Sequence, residues 1–182
     1  MLFEKGKYYH LYNRSNNSEP VFRDDQNYLF FLTKFKKHIK PFCTVISYCL
    51  MPTHFHFLIR SETDLSENLS NGIKVTLRSY TRAINLQYNR HGNLFQQNTK
   101  AKLVDDETYL LTLISYIHQN PLRAKLVENI RDRKYSSYLD LTGKRNGSLP
   151  DKNFLKQYFK TSADFERYSQ EMVGSIRKEY WV

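Results

Sequence analysis

The stretch HFHFLIR at residues 54–60 restricts the fold more than any other part of the chain. Successive strand side chains point to opposite faces, so Phe55, Phe57 and Ile59 lie on one side and His54, His56 and Leu58 on the other. The phenylalanine face joins a core, and the histidine face must meet something polar. The segment before it, FCTVISYCLM, is β-branched and aromatic and is separated from it only by the Pro52 break. The two therefore read as a hairpin or adjacent strands.

The remaining elements arrange themselves around this pair. KYYHLYNR at residues 7–14 is aromatic and β-prone and runs into the turn formers SNNSEP, a first strand and a loop. Apolar residues Tyr28, Leu29, Phe31, Leu32 and Phe35 recur at helical spacing, predicting a helix over about 25–38. A second amphipathic helix spans about 65–89, with Leu65, Leu69, Ile73, Leu77, Tyr80 and Ile84 on one stripe and Gly72 as a weak point, not a stop. FQQNTKAKLV holds a fourth strand, and Asp105 to Glu107 cap a last helix, TYLLTLISYIHQN, which Pro121 is expected to end. Strand, helix, strand, strand, helix, strand, helix predicts an α+β fold: a ferredoxin-like antiparallel sheet with helices packed on it. The sequence changes character beyond residue 135, and the expected division is a domain over 1–142 with a C-terminal helical extension over 143–182.

Charge narrows the partners. The chain has 28 Lys and Arg against 18 Asp and Glu, a formal net charge of +10 spread along its length, and such a surface attracts polyanions. Fourteen tyrosines and twelve phenylalanines among the basic residues offer stacking faces for unpaired bases, which favours nucleic acid over a membrane or an acidic protein. Cys43 and Cys49 share one strand and cannot pair without breaking it, which points to a reducing compartment. With no signal-peptide pattern and no long apolar run, the expectation is a soluble cytoplasmic protein.

The chemistry-bearing residues are few. Two imidazoles a residue apart project in parallel and could grip one cation, or could be a satisfied structural pair. There is no zinc-spaced cysteine pair, no HExxH, no GxxxxGK[ST], no GxGxxG and no GxSxG elbow. On the last helix, Leu110, Leu113, Ile114 and Ile117 form an apolar stripe, and Tyr109, Tyr116 and Asn120 fall within roughly 40° of one another beside it, while His118 points away. If that helix covers the histidine face, a phenol and an amide reach the pair. The competing possibility is that Tyr116 extends the apolar face and Asn120 caps the helix.

Two of these segments together carry a resemblance. SYCLMPTHFHFLI resembles the HUH segment of the IS200-type single-tyrosine (Y1) transposases, and within that group it is most similar to the REP-associated tyrosine transposases. SYIHQNPLRAKLV resembles their catalytic-tyrosine segment, and YHLYNRSNN, SYTRAINLQYN, GNLFQQ and YSSY recur in the family's order, over residues 7–142. Thr53 departs from the asparagine usual before the first histidine, and Ser15 from a glycine common in the N-terminal motif.

The resemblance implies a metal site of His54, His56 and Asn120 holding Mg²⁺ or Mn²⁺, and Tyr116 as nucleophile. It also implies cleavage and transfer of single-stranded DNA near a short hairpin, through a 5′-phosphotyrosine. Arg14, Asn16 and Asn17 of the N-terminal motif become DNA contacts, joined by the basic residues Lys74, Arg78, Arg82, Arg90 and Lys102, which equally suit a solvated surface. Relatives act as monomers or homodimers, so assembly stays open. A non-catalytic nucleic-acid-binding regulatory module with the same fold is the alternative from another class, and a phosphodiesterase that activates water is a third.

Overall fold

The computed structural model describes residues 2–171. Its centre is a four-stranded antiparallel sheet built from β1 (Tyr8–Arg14), β2 (Cys43–Leu50), β3 (His54–Ser61) and β4 (Lys100–Val104), in the spatial order β2-β3-β1-β4. The fold is α+β, as the element order predicts.

The phenylalanine face of β3 is covered by α1 (Asp25–His38) and α2 (Ser66–Gln87). Phe35 stacks on Phe57 with ring centres 3.9 Å apart, and Phe31 meets Phe55 at a tilt and Tyr80 edge to face. Such aromatic pairs add to the burial that holds the layer together. Asp24 caps α1 by accepting from the Asn27 N–H at 2.8 Å, and Lys36, Lys37 and His38 lie in its last turn, where the helix dipole favours cations. Gly72 lies directly against the C-terminal end of α1. A Cβ there would stand 2.1 Å from the His38 carbonyl oxygen, so the glycine that weakens α2 locally is what lets α1 lie against it.

The opposite face of the sheet is covered by α3 (Glu107–Arg123), whose Leu110, Leu113, Ile114 and Ile117 pack on Ile46, Cys49 and Leu58. Asp106 caps it through the Tyr109 N–H at 3.0 Å. Pro121 does not end this helix, contrary to the sequence expectation. Proline only removes one N–H, and the ladder continues beyond it, with the Ala124 N–H reaching the Asn120 carbonyl at 2.9 Å. Asn120 is therefore a residue of the helix body, not its cap.

After α3 the chain returns along β2. The backbones of Tyr135, Ser137 and Asp151 bond to those of Leu50, Tyr48 and Val45 at 2.8–3.0 Å, which covers an otherwise open sheet edge. The short α4 (Tyr138–Leu141) and then α5 (Ser162–Gln170) follow, and Phe154, Leu155 and Phe165 join the core beneath α3. The terminal RKEYWV lies outside the described residues. A register shift between Val45 and Ser47 puts Cys43 and Cys49 in opposite cores, although they share a strand. Both are free thiols. No helix among the described residues is long and apolar enough to cross a membrane.

Candidate active site

β3 has β1 and β2 on its two sides, which fixes what surrounds the histidine pair. In the β1–β3 register Arg14 faces His54, Tyr12 faces His56 and His10 faces Leu58. Residues opposite one another in a sheet share a face, so His10 and Tyr12 join the two histidines on the side covered by α3. His56 is fully buried and His54 partly exposed. Their rings stand edge to face with centres 5.1 Å apart.

Each imidazole has its Nδ1 engaged. His54 Nδ1 lies 3.0 Å from the Thr53 hydroxyl, and His56 Nδ1 lies 2.9 Å from His10 Nε2. Thr53, the departure from the family's asparagine, thus supplies a local partner for its neighbour. His56 Nε2 is buried and has no hydrogen-bond partner among the described residues. Burial penalises the charged form of all three rings, bringing His10 down to about 3, His54 to about 4 and His56 well below its ordinary value. All three are neutral bases at ordinary pH.

α3 delivers a phenol to this cluster from the same chain. The Tyr116 ring sits edge-on to His56, centres 6.1 Å apart and planes at 87°. Tyr116 is half-buried, and desolvation raises its pKa, opposed by the Asn120 side-chain hydrogen bond and by the nearby Arg123 charge. The Arg123 guanidinium lies 5.7 Å from the ring centre. Asn120, one turn beyond Tyr116, donates its amide N–H to the Tyr116 carbonyl at 3.2 Å, which leaves Oδ1 as the acceptor for another partner. His118 faces away from this group and bonds Ser137 Oγ at 2.8 Å, as its helical angle predicts. Gln119 donates to the Ser169 and Glu171 carbonyls at 3.0 and 2.6 Å, which pins α3 to α5.

The residues present fit a divalent cation. His56 Nε2 is a buried lone pair or N–H with no hydrogen-bond partner among the described residues, and such a group can take a ligand. Among the described residues no group of three or more His, Cys, Asp or Glu is placed to hold a metal. A third protein donor would therefore come from outside those residue types, and Asn120, one turn from Tyr116 on α3, carries an amide oxygen. Two imidazoles with one amide leave coordination positions open for substrate oxygens.

The basic residues separate into distinct groups. Lys74, Arg78 and Arg82, one turn apart on α2, line a groove of about 720 Å³ whose far wall is the loop Asn93–Thr99, with Phe95 within it. All three are exposed and make no hydrogen bond or ion pair among the described residues. The loop wall is bonded to the end of β1: the Gln96 N–H reaches the Arg14 carbonyl at 2.9 Å, and Asn13 Nδ2 reaches Gln96 O and Thr99 Oγ1 at 3.1 and 2.8 Å. Arg14, whose carbonyl holds the loop wall, is paired in register with His54 on the neighbouring strand. Asn16 braces the same loop through the Asn93 and Phe95 carbonyls, and Asn17 is exposed in a left-handed turn at φ 54°. Arg90 is committed to Glu19 and Asn85. Lys102 sits apart on edge strand β4, opposite His10 and on the histidine face.

Three participants escaped the sequence reading. His10, Tyr12 and Arg123 all touch the cluster, and the first two carried a signal: in YYHLYN, Tyr8, His10 and Tyr12 alternate with apolar Tyr9 and Leu11 just as the β3 histidines alternate with phenylalanines.

Comparison with known proteins bears on this arrangement. The family model described as "Transposase IS200 like" matches residues 4–120. A Haemophilus influenzae protein described as a REP-associated tyrosine transposase is 30% identical over 108 residues, 54% of this chain and 60% of that protein, so the match spans well under the relative's full length. The solved structure of a REP-associated tyrosine transposase bound to a REP hairpin superposes with a TM-score of 0.65 at 14% identity, covering 83% of this chain and 91% of that one. At that identity the likeness is one of fold.

Proposed function

This chain belongs to the IS200-like transposase family, and from that membership we propose that it cuts and rejoins single-stranded DNA through a covalent 5′-phosphotyrosine. In this reading the Tyr116 oxygen bonds to phosphorus, the bond from phosphorus to the 3′ oxygen breaks, and that oxygen leaves as a free 3′-hydroxyl after taking up a proton. The phenol gives its own proton to solvent. One phosphodiester is exchanged for another, so the reverse attack by a 3′-hydroxyl rejoins strands with no nucleotide cofactor.

The chain's residues divide the work. His54 and His56 through Nε2, and Asn120 through Oδ1, would hold Mg²⁺ or Mn²⁺, which when bound draws charge from a phosphate oxygen and makes phosphorus a better electrophile. Burial keeps the Tyr116 phenol protonated at rest, while the Asn120 side chain and the Arg123 charge oppose that shift and favour the anion as the proton leaves. Lys74, Arg78 and Arg82 carry the DNA backbone along the groove, and Arg14 passes it to the histidine corner. Asn17 and Lys102 flank that route, and Asn16 and Arg90 hold its walls in shape. The substrate is a hairpin-bearing single strand, like the element bound to the solved relative, and the place of action is the cytoplasm.

The observation that supports this reading best is the phenol of Tyr116 standing edge-on to an imidazole whose buried Nε2 has no hydrogen-bond partner among the described residues. Incubating the protein with hairpin single strands and Mn²⁺ and resolving the products on a denaturing gel tests it. The expected result is a covalent protein–DNA band that chelation and Tyr116→Phe each abolish. Free cut DNA unaffected by Tyr116→Phe would instead mark a water-activating phosphodiesterase, and binding without any cut a regulatory module.

A further inference from the structure

The contact between His10 and His56 has a geometry that makes the two rings share one proton. The two ring planes differ by only 14° and the ring centres are 5.1 Å apart, while His10 Nε2 and His56 Nδ1 are separated by 2.9 Å. A ring nitrogen sits roughly 1.1 Å from its ring's centre, so the short N···N line fills the 5.1 Å only if both nitrogens lie along the line between centres. The rings are thus nearly coplanar and joined end to end, with each nitrogen's in-plane orbital aimed at the other. One proton serves that bond, and it can sit on either ring. If it sits on His10, the proton of neutral His56 moves to Nε2, a fully buried atom with no acceptor among the described residues. If it sits on His56 Nδ1, Nε2 becomes a bare lone pair open to a cation, and neutral His10 carries its own proton on Nδ1, itself a buried atom.

Resting on the cation site proposed above, we propose that His10 is a positioning residue for that site: its Nε2 accepts the His56 Nδ1 proton, which fixes the ring and presents the His56 Nε2 lone pair to the cation. Thr53 does the same for His54 with a half-buried hydroxyl, a weaker constraint. His10 is the better anchor because both it and its bond are fully buried in the sheet, where no water competes. Outer partners of metal-bound histidines typically matter 10–100-fold in affinity.

The test uses full-length protein without DNA, titrated with Mn²⁺ and followed by electron paramagnetic resonance, beside long-range ¹H–¹⁵N NMR of His56 in the metal-free state. His10→Phe should weaken Mn²⁺ binding about 10–100-fold, whereas His10→Gln, whose Oε1 can accept the same proton, should stay within about threefold of wild type. In the wild-type protein the His56 proton should reside on Nδ1, a measurement that stands even if His10→Phe fails to fold. The proposal is overturned if wild-type His56 carries its proton on Nε2, or if folded His10→Phe binds Mn²⁺ as tightly as wild type. Should wild type show no Mn²⁺ binding that His56→Ala removes, the cation site itself falls and this role with it. Binding that His56→Ala removes and His10→Phe leaves intact overturns the role of His10 alone.

Discussion

Replacing Lys74, Arg78 and Arg82 together by alanine should flatten the salt dependence of DNA binding by a calculable amount. The three side chains line one wall of a single groove, are exposed and have no partner among the described residues, so each is available to a phosphate. On single strands each neutralised phosphate contributes about 0.7 to the slope of log K against log salt, so the triple variant should lose about 2 from that slope. Between 50 and 200 mM salt the wild-type advantage should then shrink roughly 20-fold. Exposed helix positions away from packing change stability by only about 0.5 kcal/mol or less, so the fold should be untouched. Fluorescence anisotropy with a hairpin-bearing single strand, at four or five salt concentrations, reads the slope directly. Arg90→Ala is the internal control: its charge is already spent on Glu19, so it should leave the slope within about 0.3 and lower stability instead. A triple variant whose slope matches wild type, or an Arg90→Ala that costs as much slope as a groove cation, would refute the proposed path.

Two further outcomes test the frame that holds the site. Gly72→Ala should destabilise the protein by about 1–3 kcal/mol in urea unfolding, although alanine is the better helix former by about 1 kcal/mol, because the new methyl meets the His38 backbone and must push α1 away; a variant more stable than wild type would contradict the close approach. His118 is held neutral in the fold, with its pKa at about 3 against an ordinary 6.5. Below that ordinary value the unfolded chain takes a proton the fold refuses, so stability should fall as pH drops from about 6.5 toward 3, by about 2 kcal/mol between pH 7 and 5. Denaturant midpoints at several pH values should show His118→Gln losing that portion of the slope, and parallel curves for variant and wild type would remove His118 from the account.

Local patterns carried most of the architecture. Alternation in HFHFLIR sets which side chains share a face because strand geometry has a period of two, and the three- and four-residue spacing of Leu110, Leu113, Ile114 and Ile117 does the same for α3. Both depend only on residues adjacent in the chain, so the histidine face, the apolar stripe and the placement of Tyr116 and Asn120 beside it were legible before any fold was known. Where a local rule failed, a neighbour overrode it: Pro121 costs one hydrogen bond, and Ala124 renews the ladder a turn later. Gly72 looked like a weakness because the sequence holds no record of the carbonyl that α1 brings against it.

What tertiary structure alone decided was pairing across long separations. His10 meets His56 only because β1 and β3 are neighbours in one register, and shifting that register by one residue would turn His10 to the other face. The same holds for the bulge that sends Cys43 and Cys49 into opposite cores, and for the loop Asn93–Thr99 that turns a basic helix face into a walled groove. A chain's own spacing determines directions within each element; which elements lie side by side depends on burying all their apolar faces at once, and that is a property of the whole fold.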